Sequence, residues 1–487
     1  MIFPDVNWIG ILPELILAVG AAAILLIDVQ WAPRPRNLAR FTFGLLLAAG
    51  GATLIQRFWL EGLPTGELSR TRPFAGMVVV DPYSVFARLV LVVVSLLGLG
   101  AAWRFIESLG RRAAEALTLF LLATAGFSLM AASPHLVMIF LGLEIGSISL
   151  YVLAGFGRRD ARSEESALKY FLLGSFASAI FIYGVALLFA GTGSLDLFDQ
   201  RRFLADNILV RPAVLLIGLA LVVVGMAFKV TAAPFHGWAP DVYEGAPAGA
   251  VGFMAAAAKV GGFAALTRIL VTAFADFADD WGVVVGGIAV LSMLVGSVLA
   301  LVQDDLRRLL AYSGVAHAGF ILTGLVAGLA GTPGVWFYLA VYSVQLVGAF
   351  AVVAAVSGGG SSGSPFARYE GLARRQPLLA MALTVLLLGM AGIPLTSGFV
   401  AKFGVFQEAW RAGFGWLVLV AVVASVVAFF LYLRVIVAMY MAEPVGEEVA
   451  VPSLPIRTVL TVAMAITVVF GVLPAPLLSL AADALPF

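Results

Sequence analysis

Lys169, Lys229, Lys259 and Lys402 are the only lysines in this 487-residue chain, and each falls in a stretch that reads as a membrane helix. Every other basic residue among the 29 Lys and Arg is arginine. The division has a chemical meaning. Arginine keeps its proton in almost any protein setting, whereas burial can bring a lysine down several pKa units, so that it loses and regains a proton near neutral pH. Four such groups in apolar surroundings read as a proton relay. The competing explanation is a genome that replaces lysine by arginine wherever geometry allows, and it too marks the four positions as special.

Lys259, in Ala255–Ala256–Ala257–Ala258–Lys259–Val260–Gly261–Gly262, lies near the middle of its helix, too deep to snorkel. Lys229 and Lys402 sit beside interruptions in their helices, where water and free carbonyls can reach them. Lys169 lies a turn or two into its helix beside Glu164 and Glu165, and two readings stay open for it, a relay group or an ion-paired surface lysine. Glu144 is an acid near the centre of an apolar run, and Lys229 is its natural partner. Each member of such a pair sets the other's affinity for protons, which makes the pair switchable. A static pair holding two helices together is the alternative.

Glu14, directly after Pro13, is expected to complement the N-terminal dipole of the first helix. His317, in the tenth apolar run, could bridge lysines about a helix apart, since imidazole titrates near neutrality; a hydrogen-bonded core histidine is the alternative. His236 stands at a helix interruption, where it could serve water access or cap freed carbonyls, and His135 at a helix start says little. No HExxH, Gly-rich phosphate loop or nucleophile elbow occurs, so soluble-type catalysis is unsupported.

Composition sets the elements that must hold these groups. Hydrophobic residues make up 62% of the chain and charged residues 12%, with a mean hydropathy of +1.05. No soluble domain has this profile, and the bilayer is the implied solvent. A net charge of +1 offers no field for nucleic acid. The absence of cysteine excludes thiolate-held iron–sulfur clusters, Cys-type zinc sites and disulfides. The first apolar run lacks a basic stretch before it and reads as a retained helix rather than a cleavable signal.

Apolar runs and their punctuation predict an all-α integral membrane protein of about 14 transmembrane helices. The runs lie near 9–29, 37–57, 77–102, 113–131, 134–156, 163–190, 212–240, 247–275, 282–302, 305–330, 334–356, 377–412, 414–440 and 456–480. Two are broken. Pro234 and Gly237 interrupt the seventh near 231–238, and Gly392, Pro394 and Gly398 interrupt the twelfth near 392–398. The string Gly-Met-Ala precedes both, at Gly225–Met226–Ala227 and Gly389–Met390–Ala391. Five helices separate the breaks, and an odd spacing makes two successive five-helix units run in opposite senses through the membrane. Discontinuous helices at matching places in inverted repeats point to a transport path.

The expected organisation is a three-helix segment (1–112), a first inverted repeat of helices four to eight (113–275), a second of helices nine to thirteen (276–440) and a C-terminal helix (441–487). A flexible linker, 357–376, opens with a Ser/Gly run and joins helices eleven and twelve. One set of alternate loops carries most of the loop arginines, including Arg34, Arg36, Arg111, Arg112, Arg158, Arg159 and Arg308. The other holds Arg57, Arg70, Arg72, Arg201, Arg202, Arg211 and Arg411. The arginine-rich set is expected inside, with both termini outside.

Several segments carry a family resemblance. They are Leu12–Pro13–Glu14–Leu15–Ile16–Leu17–Ala18, the stretch from Glu165 through Lys169 to Gly174, Phe228–Lys229 leading to Pro234–Phe235–His236–Gly237–Trp238, and Gly398–Phe399–Val400–Ala401–Lys402–Phe403. They resemble the antiporter-like membrane subunits of proton-pumping NADH:quinone oxidoreductase, respiratory complex I, which are similar to subunits of Mrp cation/proton antiporters. Within that family the chain is most similar to the subunit N branch. It shows Lys402 where the M branch would show glutamate, and it lacks the lateral-helix extension of the L branch.

The resemblance implies redox-coupled proton translocation as one subunit of a larger enzyme. Glu144 and Lys229 would form the charge pair of the first half-channel, Lys259 the central relay, His317 a point on the polar axis and Lys402 the ion of the second half-channel. Lys169 matches a further family lysine. No cofactor is expected in this chain, with NADH, FMN, iron–sulfur clusters and quinone in partner subunits. The implied partners are membrane-arm and peripheral-arm subunits, notably antiporter-like subunit M and the small membrane subunits, in a bacterial inner membrane. Two alternatives stay open: a subunit of an Mrp-type exchanger, and a non-pumping scaffold whose buried charges only hold an assembly together.

Overall fold

A computed structural model describes residues 7–62, 72–157, 161–207, 212–357, 363–444 and 449–486. Twenty α-helices follow one another among them. The first ten are α1 (Leu12–Trp31), α2 (Pro35–Glu61), α3 (Pro82–Ala101), α4 (Trp103–Ser108), α5 (Ala113–Ala132), α6 (Leu136–Ala154), α7 (Ala161–Thr192), α8 (Leu197–Asp206), α9 (Ala213–Lys229) and α10 (Trp238–Gly245). The rest are α11 (Ala248–Arg268), α12 (Ala278–Leu301), α13 (Leu306–Leu325), α14 (Thr332–Val356), α15 (Leu372–Arg375), α16 (Pro377–Ala391), α17 (Ser397–Arg411), α18 (Gly415–Met441), α19 (Leu454–Val472) and α20 (Ala475–Asp483).

Local chemistry sets many of the starts. A proline stands in the first two positions of α1, α2, α3, α14, α16, α19 and α20, where its missing N–H costs no hydrogen bond. Asp81 caps α3 and Asp305 caps α13, each accepting from backbone N–H groups of the first turn.

Among the described residues, 11 helices are long and apolar enough to cross a membrane, or up to 12 if a bent pair counts as one span. The chain is a multi-pass helical membrane protein. Two of these helices form the centre. The apolar window of α11 is 100% buried and that of α14 is 89% buried, whereas that of α19 is only 28% buried and faces outward.

Both expected breaks are present. The first separates α9 from α10, and the second separates α16 from α17, after Gly392 at φ 82° and Leu395 at φ 71°. The linker expectation is corrected in part. Residues 358–362 lie outside the described ones, as do Arg70, Arg158, Arg159 and Arg211, but most of the segment after residue 362 is folded. Tyr369 and Leu372 are fully buried there, and the Tyr369 and Ser364 hydroxyls are hydrogen-bonded at 3.0 Å. An aromatic anchor with a satisfied hydroxyl holds the chain in place.

Candidate proton-relay site

At the first break α9 ends on Lys229, which leaves backbone carbonyls of the last turn without helical partners. Lys259, from the middle of α11, supplies what is missing. Its ammonium donates to the Val230 carbonyl at 3.0 Å and to the Thr231 hydroxyl. The Ser292 hydroxyl of α12 accepts from the Ala233 N–H at 2.8 Å. The break is thus satisfied by two other helices.

Lys229 itself is 2% exposed. Its ammonium donates to the Ser147 hydroxyl of α6 at 2.7 Å and sits 5.0, 5.7 and 5.9 Å from the ring centres of Phe127, Tyr170 and Tyr151. Aromatic faces are the apolar surface that best tolerates a cation.

The expected Glu144–Lys229 contact is replaced by a longer arrangement. Ser147 lies one turn along α6 from Glu144 and takes the lysine's proton donor, while Glu144 accepts from the Ser178 hydroxyl of α7. The Ser147 hydroxyl accepts from Lys229 and donates to the Leu143 carbonyl of its own helix, using both of its hydrogen-bonding roles. Glu144 is half-buried rather than enclosed.

At the second break Lys402 reaches back from α17 to the Ala391 carbonyl, the last of α16, at 2.9 Å, with its ammonium 4.5 Å from the Phe320 ring centre. The contact needs a glycine beside it. A Cβ added to Gly392 would lie 2.8 Å from the Lys402 Cδ.

Helix α13 joins the two breaks. A Cβ on Gly314 would lie 3.7 Å from the Lys259 ammonium nitrogen, and Phe320 carries Lys402. His317 stands halfway between them on the same face, since residues three apart on a helix are neighbours. Its Nδ1 is 2.9 Å from the Tyr338 hydroxyl and its Nε2 3.1 Å from that of Tyr432, which also meets the Ser313 hydroxyl. Tyr342 stacks on the imidazole with ring centres 4.2 Å apart. The order in space is therefore Lys229, Lys259, His317 and Lys402.

Lys169 is apart from this line. Its side chain is 40% exposed and pairs with Glu165 at 2.6 Å and Asp241 at 2.7 Å; Arg308 then bridges Asp241 and Glu244, each at 2.8 Å. The network ties α7, α10 and α13 together at one end of the bundle. His236 is half-buried and lies edge-on to Tyr312 with ring centres 6.1 Å apart; His135 precedes α6.

Two buried ion pairs escaped the sequence reading. Glu14 accepts from Arg88 at 2.8 Å and from Ser128 at 2.6 Å, while Arg88 also donates to Gln56 and the Gly10 carbonyl. This corrects the helix-dipole expectation, because a buried carboxylate needs a specific cation more than a diffuse dipole. Arg268, at the end of α11, makes a two-pronged contact with Asp81 at 2.8 and 3.0 Å, and both side chains are fully buried. The signal was available in part, since Arg88 and Arg268 are arginines inside apolar runs.

Two interrupted helices, each with a buried lysine on a carbonyl at its break, and a histidine-bearing helix packed near both lysines define a class of polytopic membrane protein with ionisable groups buried among its helices. Comparison with known proteins places the chain within that class. Residues 133–428 match the family model for the membrane-spanning part of NADH:quinone oxidoreductase and Mrp antiporter subunits, and the chain belongs to this family. It is 38% identical to NADH-quinone oxidoreductase subunit N of Trichlorobacter lovleyi, over 99% of this chain and 98% of the relative. A chain of respiratory complex I from Thermus thermophilus with bound aureothin superposes with a TM-score of 0.79 and 32% identity, over 97% of this chain and 99% of that one. The Mrp complex from Dietzia sp. shares the fold, with a TM-score of 0.83 at 22% identity over 98% of this chain and 96% of that one.

Proposed function

We propose that this chain is the subunit N-type member of a proton-translocating NADH:quinone oxidoreductase, passing protons along Glu144, Ser147, Lys229, Lys259, His317 and Lys402. The observation that carries the proposal is the pairing of each helix break with a buried lysine, Lys259 on the Val230 carbonyl and Lys402 on the Ala391 carbonyl, with His317 between them. An intramembrane ionisable group is costly and marks an ion path. Lys169 belongs to the solvent-facing end of the first half-channel, as a proton-collecting group or a plain ion-pair partner.

In this proposal the chain crosses the membrane 14 times with both termini outside, in a bacterial inner membrane. Residues 113–275 and 276–440 are the inverted repeats, flanked by the 1–112 segment and the 441–487 helix. NADH, FMN, iron–sulfur clusters and quinone are held by partner subunits, and antiporter-like subunit M and the small membrane subunits are neighbours. The energy comes from them. Each charge moved against 100 mV costs about 2.3 kcal/mol. Charge movement in a neighbour would act on half-buried Glu144 and, through its field, on the proton affinity of Lys229.

The test is the Lys229→Ala variant in assembled complex reconstituted into vesicles. Loss of proton uptake coupled to NADH oxidation is expected. Intact complex that oxidises NADH with unchanged pumping overturns the relay and leaves the scaffold reading. The likeness to the Mrp complex is one of fold, and sodium-independent pumping in the same vesicles separates the two functions.

A further inference from the structure

We infer that a phospholipid bearing a free ammonium headgroup seats one acyl chain in the groove between the N-terminal helices and α14. The groove has a volume of about 320 Å³ and is lined by α2, α3, α14, α19 and α20. Ala340, Val341 and Val344 of α14 form its floor and Phe470 one wall. It opens sideways, for its rim residues Leu54, Val93 and Leu480 are 47%, 39% and 49% exposed. Along α3 it reaches from Pro82, the first residue of the helix, to Val93. That run is about 16 Å at 1.5 Å per residue, half of a hydrocarbon core about 30 Å thick. A slot running from a helix end to the bilayer midplane has the dimensions of one leaflet, which is what an acyl chain fills.

The mouth has a charge pattern that specifies a head. Arg57 lines the groove at this end, and its guanidinium pairs with Glu61 of α2 at 2.9 Å and Asp483 of α20 at 3.5 Å. By exchange of these exposed ion pairs, the guanidinium for a phosphate and the two carboxylates for an ammonium, the cluster complements a zwitterionic head that can donate hydrogen bonds, such as phosphatidylethanolamine. A choline head has no N–H to donate, and a purely anionic head meets an excess of carboxylate. The floor helix links this site to the polar axis, because Tyr338 and Tyr342, which contact His317, belong to the same turns of α14 as Ala340, Val341 and Val344.

The assembled complex is reconstituted into vesicles of equal phosphatidylethanolamine and phosphatidylcholine, re-extracted in detergent, and its retained phospholipids are counted by mass spectrometry. The wild type is expected to retain phosphatidylethanolamine in about threefold preference, the scale of exposed ion pairs. Ala340→Trp, which fills the floor, and Val93→Trp, which blocks the exposed rim, each lower the retained count by at least one molecule per complex. The Glu61→Gln/Asp483→Asn double variant retains the lipid without headgroup preference. If neither tryptophan variant assembles, the headgroup preference and its loss decide alone. Equal retention of both lipids by the wild type, or unchanged counts in the tryptophan variants, overturns the proposal. So does a cryo-EM map of the complex with a quinone or a neighbouring subunit's helix in the groove.

Discussion

The two helix breaks solve one problem with different means. At the second, a single lysine on the following half-helix turns back and caps the last carbonyl of the preceding one, Lys402 on Ala391. At the first, the terminal Lys229 points away into an aromatic pocket and toward Ser147, and a different helix sends Lys259 to do the capping. The first break therefore has two lysines and a carboxylate, Glu144, one helical turn from the serine that receives Lys229, whereas the second has one lysine. A site with coupled charges of both signs can be switched from outside, because each charge alters the proton affinity of the others. A site with one cation can only receive and release. In the proposed relay this asymmetry would place control in the first half and exit in the second.

The Gly-Met-Ala string before each break has a packing reason. A Cβ on Gly225 would lie 2.6 Å from Phe181 of α7, and one on Gly389 would lie 2.7 Å from both Gln345 of α14 and Thr467 of α19. Both glycines let a half-helix lie close against its neighbouring helices.

The comparison can be broken by substitution. The largest effect is expected from Lys259→Ala, which removes both the central carrier and the donor to Val230. Proton uptake per NADH oxidised in reconstituted vesicles should fall by about a hundredfold, the scale of losing a positioned proton-transfer group. Arg268→Ala should act on stability instead. Stranding Asp81 in the core costs about 3–5 kcal/mol, read as lost assembled complex and a lowered unfolding midpoint, and an Asp81→Leu/Arg268→Met pair should recover much of it. If Arg268→Ala assembles normally but stops pumping, the division between structural and relay charges is wrong.

Ser147→Ala, by removing the acceptor of Lys229, should cost about 1–2 kcal/mol, or roughly tenfold in coupled proton uptake. Unchanged uptake would mean that Glu144 reaches Lys229 without the serine. Lys169→Ala should be mildest, because exposed ion pairs contribute about 0.2–1 kcal/mol. Its pumping should stay within about twofold of wild type on that scale, and a complete loss would place Lys169 in the relay itself.

What could be read from the sequence followed from scarcity and punctuation. Four lysines in an arginine-using chain stand out, and prolines and glycines inside apolar runs reveal the breaks. What could not be read depends on helix rotation. α11 is buried on every side, so no apolar stripe says which neighbour Lys259 faces. The interposed Ser147 was hidden for the same reason, as were the tyrosines that enclose His317. The Glu14–Arg88 pair joins residues 74 apart in sequence, and only the packing of both α1 and α3 on α2 and α5 brings them together.

The central claim is that the lysines at the breaks carry protons and do not merely cap carbonyls, and Lys259→Arg separates the two roles. Arginine can still donate to Val230 and Thr231 but does not give up its proton. The decisive measurement is proton uptake per NADH oxidised by vesicles containing the assembled Lys259→Arg complex. The account predicts an intact complex that has lost coupled uptake, and an intact complex with the wild-type ratio would contradict it.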